Sequence, residues 1–232
     1  GTLLQCYSGF AELNGTPGHT PRVGMAWLDP MCGLMLAMLC HSAIESRRQG
    51  RAGVRIDFSM IEAMLWTMLE PLVAVQQAQI VQPAGNASNG DVHDIWRAHG
   101  DDAWVAIAAT SDTAWRGLCE RVPGLKSLSE WKEDDRRANR AMWDEMISAW
   151  CSDTMPAEVS AALSAQGVPA AAVVNAHGLV SDPHLAARKF WDNVGQHRLP
   201  GLPWRSDLGR QLTPAPALGA HTDAVLRELL DL

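Results

Sequence analysis

The stretch that most constrains this chain is Trp27-Leu28-Asp29-Pro30, which opens an apolar, helix-periodic segment running to about Arg48. Asp29 stands where a helix N-cap belongs, and Pro30 follows at a first helical position, where its missing N–H is no loss. Met31, Leu34, Met35, Met38 and Leu39 recur at the spacing of one buried helix face. Charges wait until Glu45, Arg47 and Arg48, and Gly50 closes the element. The sequence thus presents a carboxylate at the positive end of a helix, whose field favours the ionised form. Such a carboxylate, buried and fixed, suits covalent catalysis. It also suits plain capping, and on the residues alone both roles stay open.

Composition narrows the class. With 232 residues, 47% apolar and 19% charged, the chain has enough material for one or two domains with a real core. A net charge of −7 and no basic cluster interleaved with aromatics argue against nucleic acid. Met31–Cys40 is too short to span a bilayer, and Gly1-Thr2-Leu3-Leu4 lacks the basic start of a signal peptide. Cys6, Cys32, Cys40, Cys119 and Cys151 are odd in number and form no CxxC pair. The reading is reduced thiols, a cytoplasmic setting and no metal site, since the histidines form no HxxxH or HExxH either. The tryptophans fall singly in helical patterns and are read as packing residues.

The rest of the chain divides by punctuation. Residues 1–28 read as a short helix, then a loop broken by Gly15, Pro17, Gly18, Pro21 and Gly24. Val54 to Phe58 alternates like a strand. Ser59 and Glu62 form a capping-box pattern before a helix that Pro71 is expected to kink or break. Gln82 to Asp91 is a turn-rich boundary. His99 to Asp102 turns into a strand over Trp104–Ala108, and Asp112 starts a helix. Residues 126–166 read as helices, with the charge run from Lys132 to Arg140 as a solvated face. Pro156 opens a helix that Gly167 ends, and Val168 to Val174 reads as a strand. Strand, helices and strand suggest a small α+β domain over 81–185. Asp182-Pro183 starts another helix; a Pro/Gly-rich extended run follows from Leu199 to Pro216, then a helix from Thr222 to Leu232.

Taken together, several phrases resemble the family III CoA-transferases, a group that includes carnitine CoA-transferase, formyl-CoA transferase and α-methylacyl-CoA racemase. They are Ser8-Gly9 before a Gly/Pro loop; Asp29 heading a helix; Arg47 to Gly53 with Val54 to Ser59; Gly100 to Ala108; Gly167-Val168-Pro169-Ala170; Asp182-Pro183-His184-Leu185; and Pro214-Ala215-Pro216 with Leu218 to Thr222. The resemblance spans essentially the whole chain but only the later part of a family member. It implies an incomplete α/β fold: residues 1–80 as catalytic helices of a Rossmann-like large domain, 81–185 as the small α+β domain, and 186–232 as an extended segment returning to the large domain.

The resemblance also implies a chemistry. The aspartate in the position of Asp29 attacks an acyl-CoA thioester, passes through an anhydride and becomes an aspartyl-CoA thioester that the acceptor acid consumes. A glycine-rich loop shields this site in family transferases. The matching segment here is Gly85 to Asp91, which makes Gly85, Asn86 and Gly90 the implied substrate-binding residues. Coenzyme A and acyl-CoA are then substrates, with no permanently bound cofactor. The racemase branch needs a histidine upstream of Ser8-Gly9, at a distance falling before Gly1; His19 is not in the matching place. Its further acidic residue falls near Ser111, with Asp112 next door. Transferase is therefore the first expectation, racemase the second and a non-catalytic subunit the third. The family's subunits interlock, so the expected partner is a second copy or a chain carrying the N-terminal half, with apolar surface exposed on this chain taken alone.

Overall fold

Helix α3 (Leu28–Arg48) is the long element of the N-terminal region, reached through α1 (Thr2–Tyr7) and α2 (Phe10–Leu13) and followed by α4 (Met60–Thr67) and α5 (Leu69–Gln76). The structure is a computed structural model describing residues 1–86, 92–207 and 213–230. It is a mixed α/β chain, 48% helical and 10% strand, so the sheet is a small platform among helices. Among the described residues no helix is long and apolar enough to cross a membrane. The chain divides into two units, Gly1–Ala172 and Val173–Leu232.

The first unit holds two separate apolar clusters. In one, Leu28, Cys32, Ala63, Met64 and Met68 are buried, with Leu4, Phe10, Trp27, Met31 and Met35 packed against them. Only the first turns of α3 join it. Leu34, Met38 and Leu39, expected on the buried face, are 67%, 71% and 41% exposed. The apolar stripe is real, but beyond Met35 its large apolar side chains stay exposed. Gly50, in the left-handed region at φ 83°, ends the element, its N–H donating to the Arg47 carbonyl at 3.0 Å.

Val54 to Phe58 forms no strand, contrary to its alternation; it pairs with no neighbour among the described residues, and Val54 is exposed. A strand is defined by its partner, and alternation alone supplies none. Ser59 does cap α4, its hydroxyl accepting the Glu62 N–H at 3.4 Å. The helix breaks at Met68 (φ −104°, ψ 28°), three residues before Pro71. Pro71 then occupies the first turn of α5, where no helical N–H is needed.

The second cluster lies on a three-stranded antiparallel sheet of β1 (Val92–Arg97), β2 (Trp104–Ala109) and β3 (Ala170–Ala172). Helices α6 (Asp112–Cys119), α7 (Glu133–Ala138), α8 (Arg140–Ser152) and α9 (Pro156–Ser164) lie between β2 and β3 in the chain. Val92, Trp96, Val105 and Ile107 are buried with Trp115, Trp143, Ile147 and Leu163. The Trp115 and Trp143 rings meet edge to face at 6.5 Å. Each indole N–H finds an acceptor: Trp115 the Leu128 carbonyl, Trp143 the Arg136 carbonyl, both at 2.8 Å. Apolar bulk with a satisfied polar tip is what lets tryptophan fill a core.

Strand β1 is not legible in the sequence, because His93 and Asp94 interrupt its apolar alternation. Strand β3 is three residues rather than the seven expected from Val168 to Val174; it is paired only across Val105, Ala106 and Ile107, and Val173 and Val174 are exposed. The charge run is not uniformly solvated: Arg136 is 2% exposed. Its guanidinium reaches the Asp112 carboxylate at 3.0 Å and the Trp131 carbonyl at 2.9 Å. Lys132 adds a second ion pair to Asp112 at 2.8 Å. These bonds hold the Asp112 carboxyl down at about 2, the hydrogen bond from Lys132 contributing most and that from Arg136 next.

In the second unit, α10 (Ala176–Val180) and α11 (Pro183–Ala187) are capped by Asn175 and Asp182, and Asp182 Oδ1 accepts the Leu185 N–H at 2.8 Å. The hairpin of β4 (Trp191–Val194) and β5 (His197–Pro200) takes the first residues of the expected extended run. Residues 201–207 and 213–216 are irregular, and α12 (Thr222–Leu230) buries none of its side chains.

Candidate functional site

Asp29 is the second residue of α3, not its cap. Trp27 holds the cap position with helical dihedrals (φ −77°, ψ −24°) and no side-chain hydrogen bond. The helix starts two residues earlier than expected, with Leu28 wholly buried and Leu28 and Cys32 one turn apart on the packed face. The Asp29 carboxylate remains in the first turn, where the exposed amide dipoles favour a negative charge. Its Oδ2 lies 3.8 Å from the Gly1 nitrogen, and its side chain is 52% exposed. The buried setting expected for it is absent among the described residues.

The backbone that delivers Asp29 is fixed by a residue the sequence reading missed. Gln5 is 1% exposed on α1. Its Oε1 accepts the Gly24 N–H at 2.9 Å, and its Nε2 donates to the Met25 carbonyl at 3.2 Å. A buried amide that uses both ends ties a Gly/Pro loop down where apolar contact cannot. Phe10 and Trp27, with ring centroids 5.5 Å apart, flank the same approach. A glutamine inside an otherwise apolar first helix was the available signal.

Gly85 and Asn86 are brought together in a pocket of about 730 Å³ on the open face of the β1–β2–β3 sheet. Asp29 is not among its lining residues, and Gly90 lies outside the described residues. Gly85 adopts φ 63°, a conformation that favours glycine, and its N–H donates to the Gly15 carbonyl at 2.7 Å. That bond ties the residue 82–86 segment to the loop leading toward Asp29. The Asn86 carbonyl accepts from His93 Nδ1 at 3.0 Å.

The chain has counterparts among known proteins. The chain is 24% identical, over 100% of its own length and 61% of the relative's, to a succinyl-CoA–D-citramalate CoA-transferase of Chloroflexus aurantiacus. It is 29% identical to the alpha subunit of a succinyl-CoA–L-malate CoA-transferase of the same organism, covering 99% of this chain and 57% of that one. A succinyl-CoA:mesaconate CoA-transferase of Haloarcula hispanica is 26% identical over 84% of this chain and 49% of its own. The chain therefore spans about half to three-fifths of these relatives' length. Its fold matches the crystal structure of a CAIB/BAIF family protein from Brucella suis with a TM-score of 0.81, at 22% identity, over 97% of this chain and 61% of that one. Residues 1–222 match the pattern of one family along almost the whole sequence, and the chain belongs to CoA-transferase family III.

Proposed function

We propose that the protein containing this chain moves CoA from an acyl-CoA thioester to a carboxylic acid, with Asp29 as the nucleophile. The observation that carries the reading is the position of Asp29: a carboxylate without a hydrogen-bond donor of its own among the described residues, in the first turn of a 21-residue helix of a family III chain. An Asp29 oxygen attacks the thioester carbonyl; the C–S bond breaks, CoA leaves as thiolate, and a mixed anhydride forms. The thiolate attacks the Asp29 carbonyl carbon and expels the donor carboxylate, leaving an aspartyl-CoA thioester. The acceptor carboxylate attacks that thioester and releases thiolate again, which takes the acceptor carbonyl and regenerates Asp29.

The relatives' names support succinyl-CoA as donor and a short dicarboxylic acid as acceptor. Both intermediates are hydrolysable, so water must be kept from Asp29 during turnover. Its present exposure supports closure by a further part of the protein or by a partner chain. The unpartnered apolar faces of α3 and α5, including Leu34, Met38, Leu69 and Val75, support the same association. Two relatives are named as alpha and beta subunits, which favours an oligomer.

The test is trapping. The intact protein is incubated with succinyl-CoA, quenched with hydroxylamine or borohydride, and mapped by peptide mass spectrometry. Hydroxamate or alcohol at Asp29 is expected; modification at any other residue overturns the assignment.

A further inference from the structure

In the first unit Arg116, Lys126, Arg137 and Arg140 each meet a carboxylate. In the second unit Arg188, Lys189 and Arg205 meet none: their side chains make no hydrogen bond or ion pair among the described residues. In a chain of net charge −7, three cations gathered without an acid stand out.

The backbone brings them together. At the end of α11 the Lys189 N–H donates to the Ala186 carbonyl at 2.9 Å, and the Phe190 N–H to the Leu185 carbonyl at 3.0 Å. This pair of bonds closes a helix through a left-handed residue, ordinarily glycine. Here that residue is Lys189, at φ 53°. A long cationic side chain kept where glycine sits without strain points to a use for the charge. The Phe190 carbonyl then accepts the Gly201 N–H at 2.9 Å, which draws the segment carrying Trp204 and Arg205 alongside. Trp191 meets the Phe190 ring edge to face, centroids 5.2 Å apart, and backs that wall. The result is a pocket of about 230 Å³ whose lining includes Arg188, Lys189, Phe190, Trp204 and Arg205, and no carboxylate.

We propose that this pocket binds a nucleotide, its phosphate among the three cations and its base against Trp204. A single carboxylate would leave two of the cations unanswered. A phosphate monoester carries close to two negative charges and three acceptor oxygens, which suit two guanidinium forks and an ammonium. The volume takes the phosphate and its sugar, and Trp204, 56% exposed, is open to stack the base. The phosphoadenosine end of CoA and a free nucleotide offer the same groups. The first source rests on the CoA reading proposed above; the second does not.

The experiment is calorimetric titration of the intact protein, at fixed ionic strength, with AMP and with inorganic phosphate. AMP is expected to bind about 5- to 100-fold more tightly than phosphate, the worth of one stacked base. Trp204→Leu is expected to remove that difference and leave phosphate binding as it was. Arg205→Gln is expected to weaken both probes about 10- to 100-fold, as a charge-assisted hydrogen bond is lost. Lys189→Gly removes the ammonium but suits the left-handed turn, so it is expected to weaken both probes with no loss of thermal stability. Unchanged AMP affinity in Arg205→Gln and Lys189→Gly overturns the proposal. So does AMP binding no tighter than phosphate, which is attraction for any anion. With AMP binding weakened in Lys189→Gly, a raised KM for succinyl-CoA at unchanged kcat makes CoA the bearer of the phosphate, and an unchanged KM makes it a separate nucleotide. Failure of the unmutated protein to move CoA overturns the transfer reading and leaves AMP binding, with its dependence on Arg205, standing.

Discussion

Gln5 and Gly24, nineteen residues apart, are joined by a half-buried hydrogen bond of 2.9 Å that sets the course of the chain into Asp29. Gln5→Leu keeps the bulk and removes both polar bonds, stranding the Gly24 N–H and the Met25 carbonyl. The expected cost is about 0.5–1.5 kcal/mol in urea unfolding, the net worth of a hydrogen bond whose backbone partner water can reach. Transfer activity should fall further than stability explains, because the approach to Asp29 loses its tether.

Asp29 itself has little structural work in this chain. Asp29→Asn is expected to change stability by no more than about 1 kcal/mol, the worth of an exposed first-turn charge loosely paired with the Gly1 nitrogen. The same substitution should abolish hydroxylamine trapping and CoA transfer. Equal melting curves with lost trapping separate a nucleophile from a helix-stabilising charge.

The Asp112 carboxyl sits at about 2 in the folded chain against an ordinary 3.8, held there first by the hydrogen bond from Lys132 and then by that from Arg136. A lowered folded-state value means the unfolded chain binds protons more readily. The stabilisation is therefore complete above 3.8 and is lost as pH falls toward about 2. Unfolding measured over this range should show wild type and Asp112→Asn separated at neutral pH and converging in acid. Parallel curves throughout would remove Asp112 from the acid response.

Two glycines make an opposed pair. A Cβ on Gly117 would stand 2.7 Å from the Gln166 carbonyl oxygen and 2.9 Å from Val168 Cγ2. Gly117→Ala gains about 1 kcal/mol in helix propensity but forces apart packed backbone, so a net loss, from an overpacking cost of about 1–3 kcal/mol, is expected. A Cβ on Gly33, within α3, meets nothing within 4 Å. Gly33→Ala should raise stability by about 1 kcal/mol. Chemical denaturation of both variants checks the signs.

The elements that local chemistry specifies were readable from the sequence. Ser59, Asp182 and Pro156 announced helix starts, and Gly50 and Gly167 announced helix ends, because each makes its decisive bond or dihedral within a few residues. Asp29 was singled out by its place before an apolar helix, and Gly85 and Asn86 by a resemblance of motif order. Gln5 was missed. Its partners, Gly24 and Met25, are set by folding, and a glutamine in isolation does not signal a tether.

The sequence by itself determined the starts of α4, α9 and α11, the stops at Gly50 and Gly167, and the turn from His99 to Asp102 that precedes β2. Their hydrogen bonds close over short stretches of chain, so composition there suffices. Only the tertiary structure decided that α3 buries Leu28 and Cys32 but not Leu34 or Met38, that Val54 to Phe58 stays unpaired, that Val92–Arg97 is a strand, and that Arg136 is inside. Each of those outcomes depends on a surface contributed by residues remote in the chain. An amphipathic or charged pattern says that a face can be buried; what stands opposite decides whether it is.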